Sequence, residues 1–364
     1  MKALILAGGF GTRLRPLSCT RPKFLFPVAN KPLIDWTFEN LSKSGVEEVV
    51  LAVNYKAEEL AAYCGESRFG MKILYSKDEE LSLGQTRRRY KALGTGGPVK
   101  LAEKLLGDDD FLVLNGDILT NLNYAELMHE HKSKGGVATI ALYSVEDPSR
   151  YGVAELASDG SMRITRFVEK PAKGQVASNL VNAGVYALSP KIFDYIPEAK
   201  HCSMEREVFP RLVAENMLFG YGFNGLWIDI GKKEDYLKAN MMVLDSLQRQ
   251  KRLESPVLMG ENVVVEEGAE VGPYVVLGDN VHVGKNASVK RSVVFPGVAI
   301  SDSAVVEGAV IGEDVSLGRA VRIGENCIIG DGAIIKDGVT LARDVSVCPF
   351  KEVSESVFEA KCLM

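Results

Sequence analysis

Ala309-Val310-Ile311-Gly312-Glu313-Asp314-Val315-Ser316-Leu317-Gly318-Arg319-Ala320-Val321-Arg322-Ile323-Gly324 carries an aliphatic residue followed by glycine at every sixth position. The frame starts at Val305 and continues through Ile329, Ile335, Leu341 and Val347. Nearer the N-terminus a second frame holds Met259, Val265, Val271, Leu277, Val283, Val289 and Phe295, and a break at 296–304 separates the two. Such hexads are the pattern of a parallel β-helix. The aliphatic residue points into a narrow coil, and glycine suits its tight corners. Glycine indeed follows the aliphatic residue at 260, 272, 278, 284, 312, 318, 324 and 330.

Up to about residue 250 the pattern is different. Ala3-Leu4-Ile5-Leu6-Ala7 is an unbroken apolar run ending in Gly8-Gly9, as a buried parallel strand would. Residues 31–44 predict a helix, with Leu33, Trp36, Thr37 and Leu41 on one side and Gly45 as its stop. Val49–Val53 and Phe111–Leu114 predict further buried strands, 71–75 and 137–145 predict extended chain, and 56–64, 98–106 and 123–134 predict helices. This βαβα order implies a sheet with helices on both faces, whose ligands bind at the carboxyl ends of the strands. Tyr236, Leu237, Asn240, Met241, Leu244 and Leu247 are spaced for an amphipathic helix that joins the two parts. The expected division is 1–231, a linking helix at 232–254, a β-helix at 255–349 and a tail at 350–364.

The chain has 364 residues with 43 basic and 48 acidic side chains, a net charge of −5. That balance argues against a sequence-independent nucleic-acid binder. The six cysteines are scattered without a CxxC pair, so free thiols of a reducing compartment are expected. His129 and His131 are two residues apart and share no helix face, so both are expected at the surface. The first apolar run is too short for a signal peptide or a membrane span. These features predict a cytoplasmic protein without a membrane partner.

The densest chemistry follows the first strand, at Gly8-Gly9-Phe10-Gly11-Thr12-Arg13-Leu14-Arg15-Pro16-Leu17. Glycines let backbone N–H groups approach an anion, and Arg13 adds positive charge. Pro22-Lys23 supplies another cation ten residues after Arg13. This segment resembles that of the sugar-nucleotide pyrophosphorylases, nucleotidyltransferases that join a sugar 1-phosphate to a nucleoside triphosphate. The resemblance continues through Leu114-Asn115-Gly116-Asp117, Tyr151-Gly152, Phe167-Val168-Glu169-Lys170-Pro171, Asn182-Ala183-Gly184 and Trp227-Ile228-Asp229-Ile230-Gly231. Leu93-Gly94-Thr95-Gly96-Gly97-Pro98, Glu205-Arg206-Glu207-Val208-Phe209-Pro210 and the C-terminal stretch from Pro349 narrow it to the mannose-1-phosphate guanylyltransferases of the catalytic beta type.

The resemblance implies a Rossmann-like α/β nucleotidyltransferase domain with a mixed, mainly parallel sheet, followed by a left-handed parallel β-helix. At about 18 residues per coil, residues 259–347 then form about five coils. It further implies that Gly8, Gly9, Gly11, Thr12, Gly94 and Thr95 face the nucleotide. Arg13 and Lys23 hold the triphosphate, and Asp117 and Asp229 share one Mg²⁺. Lys170 binds the sugar phosphate, while Gly152, Glu169 and Asn182 hold the sugar. Both substrates are anions, so charge neutralisation and positioning dominate the expected catalysis. A homo-oligomer through the β-helix is expected as well.

The chain departs from the family at Phe24, since members commonly read PKPL where this chain has Pro22-Lys23-Phe24-Leu25, and in an insertion at 82–92 containing Arg87-Arg88-Arg89. The insertion is either a longer exposed loop or a basic lid over an anionic ligand. Three alternatives stay open: a uridylyl- or thymidylyltransferase acting on glucose 1-phosphate, a non-catalytic regulatory subunit, and an acyltransferase coil using His282.

Overall fold

A computed structural model describes residues 1–9, 11–54, 56–77, 93–198, 200–250 and 252–363. The basic insertion at 82–92, and any lid it forms, lies outside the described residues. The chain groups into two compact units, Met1–Gly9 with Ile34–Trp227, and Phe10–Leu33 with Ile228–Met364.

The first unit is built on β1 (Lys2–Ala7), β2 (Glu48–Val53), β3 (Met71–Lys77), β4 (Phe111–Asn115), β5 (Ala138–Ser144), β6 (Gly152–Leu156), β7 (Ile164–Glu169), β8 (Leu180–Leu188) and β9 (Leu218–Gly222). β3, β2, β1 and β4 lie side by side and parallel, in that order. Leu4 is in register with Val50 and Val113, and all three are fully buried. Helices on both sides leave such strands no solvent face, hence their unbroken aliphatic runs. β8 then joins β4 antiparallel, and β6 and β7 extend the sheet antiparallel. β5 pairs antiparallel with β8 and parallel with β9. The sheet is therefore mixed.

The predicted helices form as α1 (Leu33–Lys43), α2 (Ala57–Cys64) and α5 (Tyr124–Lys134). Asn123 caps α5 by accepting from Ala125 and Glu126. The helix expected at 98–106 breaks into α3 (Gly97–Leu101) and α4 (Glu103–Leu106). At the break the Ala102 N–H is shared between the carbonyls of Pro98 and Val99. A further helix, α6 (Phe209–Ala214), carries Phe209 edge-on to both Phe167 and Tyr186. His131 is buried against β5, contrary to expectation, with Nδ1 2.9 Å from the Thr139 hydroxyl. Burial lowers its pKa. All six cysteines are free thiols.

In the second unit, α7 (Lys233–Arg249) buries Tyr236, Leu237, Ala239, Asn240, Val243 and Leu244 along one side. From Val257 onward, strands of two or three residues stack in parallel ladders on three faces, forming a β-helix. Its interior is aliphatic and almost entirely buried. The hexad reading needs one correction. The inward series runs Val289, Val294, Ile300, Val306, Ile311, without the break expected at 296–304. Phe295 and Val305 are not members. Phe295 is buried on the outer side, against Phe26 and Tyr236. Two five-residue steps keep the interior continuous where a strict period of six predicts a gap. The tail adds strands at Glu352–Val353 and Cys362–Leu363 to two of the ladders.

The glycines after the inward residues also need a revised explanation. A Cβ on Gly312 would lie 2.4 Å from Asp331 Oδ1 of the next coil, and one on Gly278 would lie 2.5 Å from the Pro296 nitrogen. Close approach between coils, not a left-handed backbone, requires glycine there. The left-handed corners are shared between polar residues such as Asn262, Asn280, Asn286, Asp314, Asn326 and Asp344 and another set of glycines, at 268, 297, 308, 332 and 338.

Candidate active site

In the first unit Gly8, Gly9 and Asp117 lie just beyond the carboxyl ends of parallel strands. Gly8 and Gly9 follow β1, and a Cβ on Gly8 would meet Asn54, just beyond β2, at 3.3 Å. Gly116 donates to the Leu6 carbonyl at 3.1 Å, which sets Asp117 at the turn after β4. Gly94 and Thr95 precede α3 and interlock with a segment about 110 residues away. Gly96 N–H donates to Cys202 O at 2.8 Å, and Thr95 Oγ1 donates to Glu205 at 2.6 Å while accepting from Met204 N–H at 2.9 Å. A Cβ on Gly94, which has φ +73°, would strike Cys202 O at 2.3 Å. The two stretches that narrowed the family resemblance are thus one structural feature.

The residues expected to hold the sugar phosphate are also neighbours. Gly152 and Glu169 are paired across β6 and β7, and a Cβ on Gly152 would lie 2.8 Å from the Glu169 carboxylate. Glycine at 152 therefore gives that carboxylate its place. Burial is the main cause that raises the Glu169 pKa above the usual carboxylate range, and the charge of Glu205 adds to it. Lys170, with φ +51°, keeps most of its side chain in solvent with Nζ 3.5 Å from Glu169. β8 bulges between Asn182 and Tyr186. Asn182 accepts from Gly184 N–H at 2.9 Å and donates to the Tyr186 hydroxyl at 3.0 Å. Trp227 fixes this bulge by donating to Ala183 O at 2.9 Å, and its ring packs on Tyr143 and Tyr151.

The remaining predicted residues belong to the second unit. Gly11 takes a left-handed conformation, φ 60°, and opens a short 3₁₀ turn, Thr12–Leu14, that carries Arg13. Ser18 Oγ closes the loop by donating to Gly11 O at 2.8 Å. Lys23 is buried, and its Cβ would be 3.5 Å from a Cβ on Gly11. A Cβ on Gly231 would be 3.3 Å from the Arg13 guanidinium, so Arg13 passes beside the segment that bears Asp229. Thr12, Arg13, Lys23 and Asp229 are thereby local neighbours.

Asp117 and Asp229 offer hard carboxylate oxygens. Among the described residues no three His, Cys, Asp or Glu side chains form a metal cage. Each carboxylate is of the kind that holds a hard divalent cation, whose shell water and phosphate oxygens complete. Sequence reading missed Asn54, Glu205 and Arg21 as candidates. Asn54 follows a buried strand just as Gly8 does, which is a readable signal. Glu205 and Arg21 acquire meaning only through partners far along the chain.

The Nucleotidyl transferase family matches residues 2–246, and the GMPPB C-terminal domain matches residues 253–363. The protein named "Probable mannose-1-phosphate guanylyltransferase 1" from Oryza sativa subsp. japonica is 41% identical over 84% of this chain and 84% of its own length. The mannose-1-phosphate guanyltransferase of Hypocrea jecorina is 39% identical over 75% of this chain and 73% of its own. Among solved structures, HddC from Yersinia pseudotuberculosis superposes with a TM-score of 0.54 at 30% identity, covering 66% of this chain and 97% of that one. With a family match over most of its length and such relatives spanning both parts, the chain belongs to the nucleotidyl transferase family, as a sugar-1-phosphate nucleotidyltransferase.

Proposed function

We propose that this protein joins mannose 1-phosphate to GTP, giving GDP-mannose and pyrophosphate. The observation that carries this reading is the identity of about 40% to mannose-1-phosphate guanyltransferases over about three-quarters of the chain. The interlock of Gly94–Gly96 with Cys202–Glu205 is in keeping with it.

In the proposed reaction a phosphate oxygen of the sugar 1-phosphate attacks the α-phosphorus of the triphosphate in line. A P–O bond forms there, and the bond to the β-phosphate breaks, so pyrophosphate leaves with the electron pair. Arg13 and Lys23 neutralise the triphosphate and the charge that grows on the leaving group. Lys170 steers the incoming phosphate. Asn182, held by the bulge, and Glu169, beside Gly152, orient the sugar. Gly8, Gly9, Gly11, Thr12, Gly94 and Thr95 line the path of the nucleotide with backbone donors. The family generally uses a divalent metal. In our reading this is Mg²⁺ held by Asp117 and Asp229, and when bound it neutralises phosphate oxygens and fixes their geometry.

Among the described residues no helix is long and apolar enough to cross a membrane. A cytoplasmic enzyme that oligomerises through residues 255–364 completes the proposal, and a monodisperse monomer in light scattering would contradict its last part. The test of function is pyrophosphate release from each of four nucleoside triphosphates with mannose, glucose or N-acetylglucosamine 1-phosphate. GTP with mannose 1-phosphate is expected to give the highest kcat/KM. Preference for UTP or TTP with glucose 1-phosphate would overturn the assignment.

A further inference from the structure

Four aspartates in the β-helix do the same local work. Asp279, Asp302, Asp331 and Asp337 each accept a backbone N–H of the preceding coil through Oδ1, from Glu261, Lys285, Glu313 and Arg319, at 2.7, 3.0, 2.8 and 2.8 Å. Asp331 departs from the other three in what its second oxygen does. Oδ2 accepts from the Thr20 hydroxyl at 2.6 Å and from Arg21 Nη2 at 2.9 Å. Arg21 also pairs with Glu313 and lies over the Phe295 ring, 5.1 Å from its centroid. Thr20 and Arg21 belong to no coil. They sit between Arg13 and Lys23, on the loop that carries both cations.

Other contacts hold the same loop to the same unit. Tyr236 donates its hydroxyl to Pro27 O, Ala29 N–H donates to Asn240 at 2.8 Å, and Asn30 donates to Leu277 O at 2.7 Å. The segment with Asp229 has an anchor of its own, because Lys233 Nζ donates to Asp344 and to Asn326 O, both at 2.8 Å. A partly buried guanidinium between two carboxylates has little freedom, so whatever it fixes is held in one place.

We propose that the β-helix positions the phosphate-handling residues. Asp331 and Glu313, through Arg21, fix the loop of Arg13 and Lys23, while Asp344, through Lys233, fixes the segment of Asp229. The inference rests on the roles proposed above for Arg13, Lys23 and Asp229. These β-helix acids are positioning residues, since they act through others. Misplacing a reacting group by about 1 Å costs on the order of 100-fold in rate, so a loosened loop has a kinetic effect well beyond its effect on stability.

The test uses the full chain, with the triphosphate and sugar 1-phosphate that the unmodified protein turns over. Asp331→Asn keeps an oxygen for the backbone N–H of Glu313 but removes the charge facing Arg21. Arg21→Met makes the same break from the loop side and leaves the coil untouched. Both are expected to raise KM for the triphosphate and lower its kcat/KM about tenfold or more, with KM for the sugar phosphate unchanged. Asp302→Asn and Asp337→Asn, equivalent in the coil, are expected to stay within about twofold of the unmodified kinetics. If Asp331→Asn and Arg21→Met behave like these two controls while Arg13→Ala is inactive, the positioning role falls and the proposed function stands. If Arg13→Ala keeps full activity, the role given to the loop falls, and this inference with it.

Discussion

The sheet and the β-helix are both built on parallel strands with aliphatic interiors, yet they treat irregularity in opposite ways. The β-helix absorbs it. Two five-residue steps pass through Val294 and Ile311 without opening the interior, and every inward residue from Val275 to Val347 stays buried. The sheet keeps its irregularities at residues proposed to handle the sugar phosphate. The bulge after Asn182, the left-handed Lys170 and the half-buried Glu169 all lie where β6, β7 and β8 end their regular pairing. Regular inward positions of the coil serve stability, while the residues proposed for the sugar fall at irregular positions of the sheet.

Substitutions at the proposed site and in the coil interior should therefore separate cleanly. The largest effect is expected for Arg13→Ala and Lys23→Ala, which lower kcat/KM for the triphosphate about 1,000-fold in steady-state assays while the melting temperature barely moves. Next comes Leu317→Ala in the coil. It costs about 2–5 kcal/mol in denaturant unfolding but leaves kcat of the folded fraction unchanged. Gly278→Ala follows, at about 1–3 kcal/mol, because the added methyl meets the backbone of the next coil.

The smallest effect concerns pH. The folded state raises the Glu169 pKa above its ordinary value. The folded protein thus binds this proton more tightly than the unfolded chain. The side chain costs nothing at pH below the unfolded value and opposes folding increasingly as pH rises through the folded one. Glu169→Gln should raise the melting temperature at pH 8 and leave it unchanged at pH 4. It should also flatten an acid limb of kcat/KM for the sugar phosphate that lies higher than an ordinary glutamate would place it. An unaltered limb would remove Glu169 from the sugar site.

Much of this was legible in the sequence, and the failures have physical causes. The parallel strands could be read because burial on both faces removes alternation from their sequence. The coil could be read because one inward side chain recurs with each strand. The errors fell where two apolar residues are adjacent, at Val294-Phe295 and Val305-Val306, since either could point inward until the neighbouring coil decides. His131 was misread because its partner, Thr139, lies on the next strand and not on its own helix. Glycine's place in the coil was foreseen, but for the wrong reason: the constraint comes from an atom in the next coil, such as Asp331 Oδ1 against Gly312. The glycine loop and both aspartates stood out as motifs. Arg21 did not, and Glu205 was legible only as part of a family stretch, because their partners lie 310 and 110 residues away.

Nucleotidyl transfer, as proposed, takes place at a site that needs both aspartates. Its most direct test is pyrophosphate release from GTP, dependent on mannose 1-phosphate and Mg²⁺, by the unmodified chain and by Asp117→Ala and Asp229→Ala. Turnover is expected from the first and its loss in both variants, with unfolding transitions preserved. Turnover near the unmodified level in both variants, or none from the unmodified chain with any triphosphate, would contradict it.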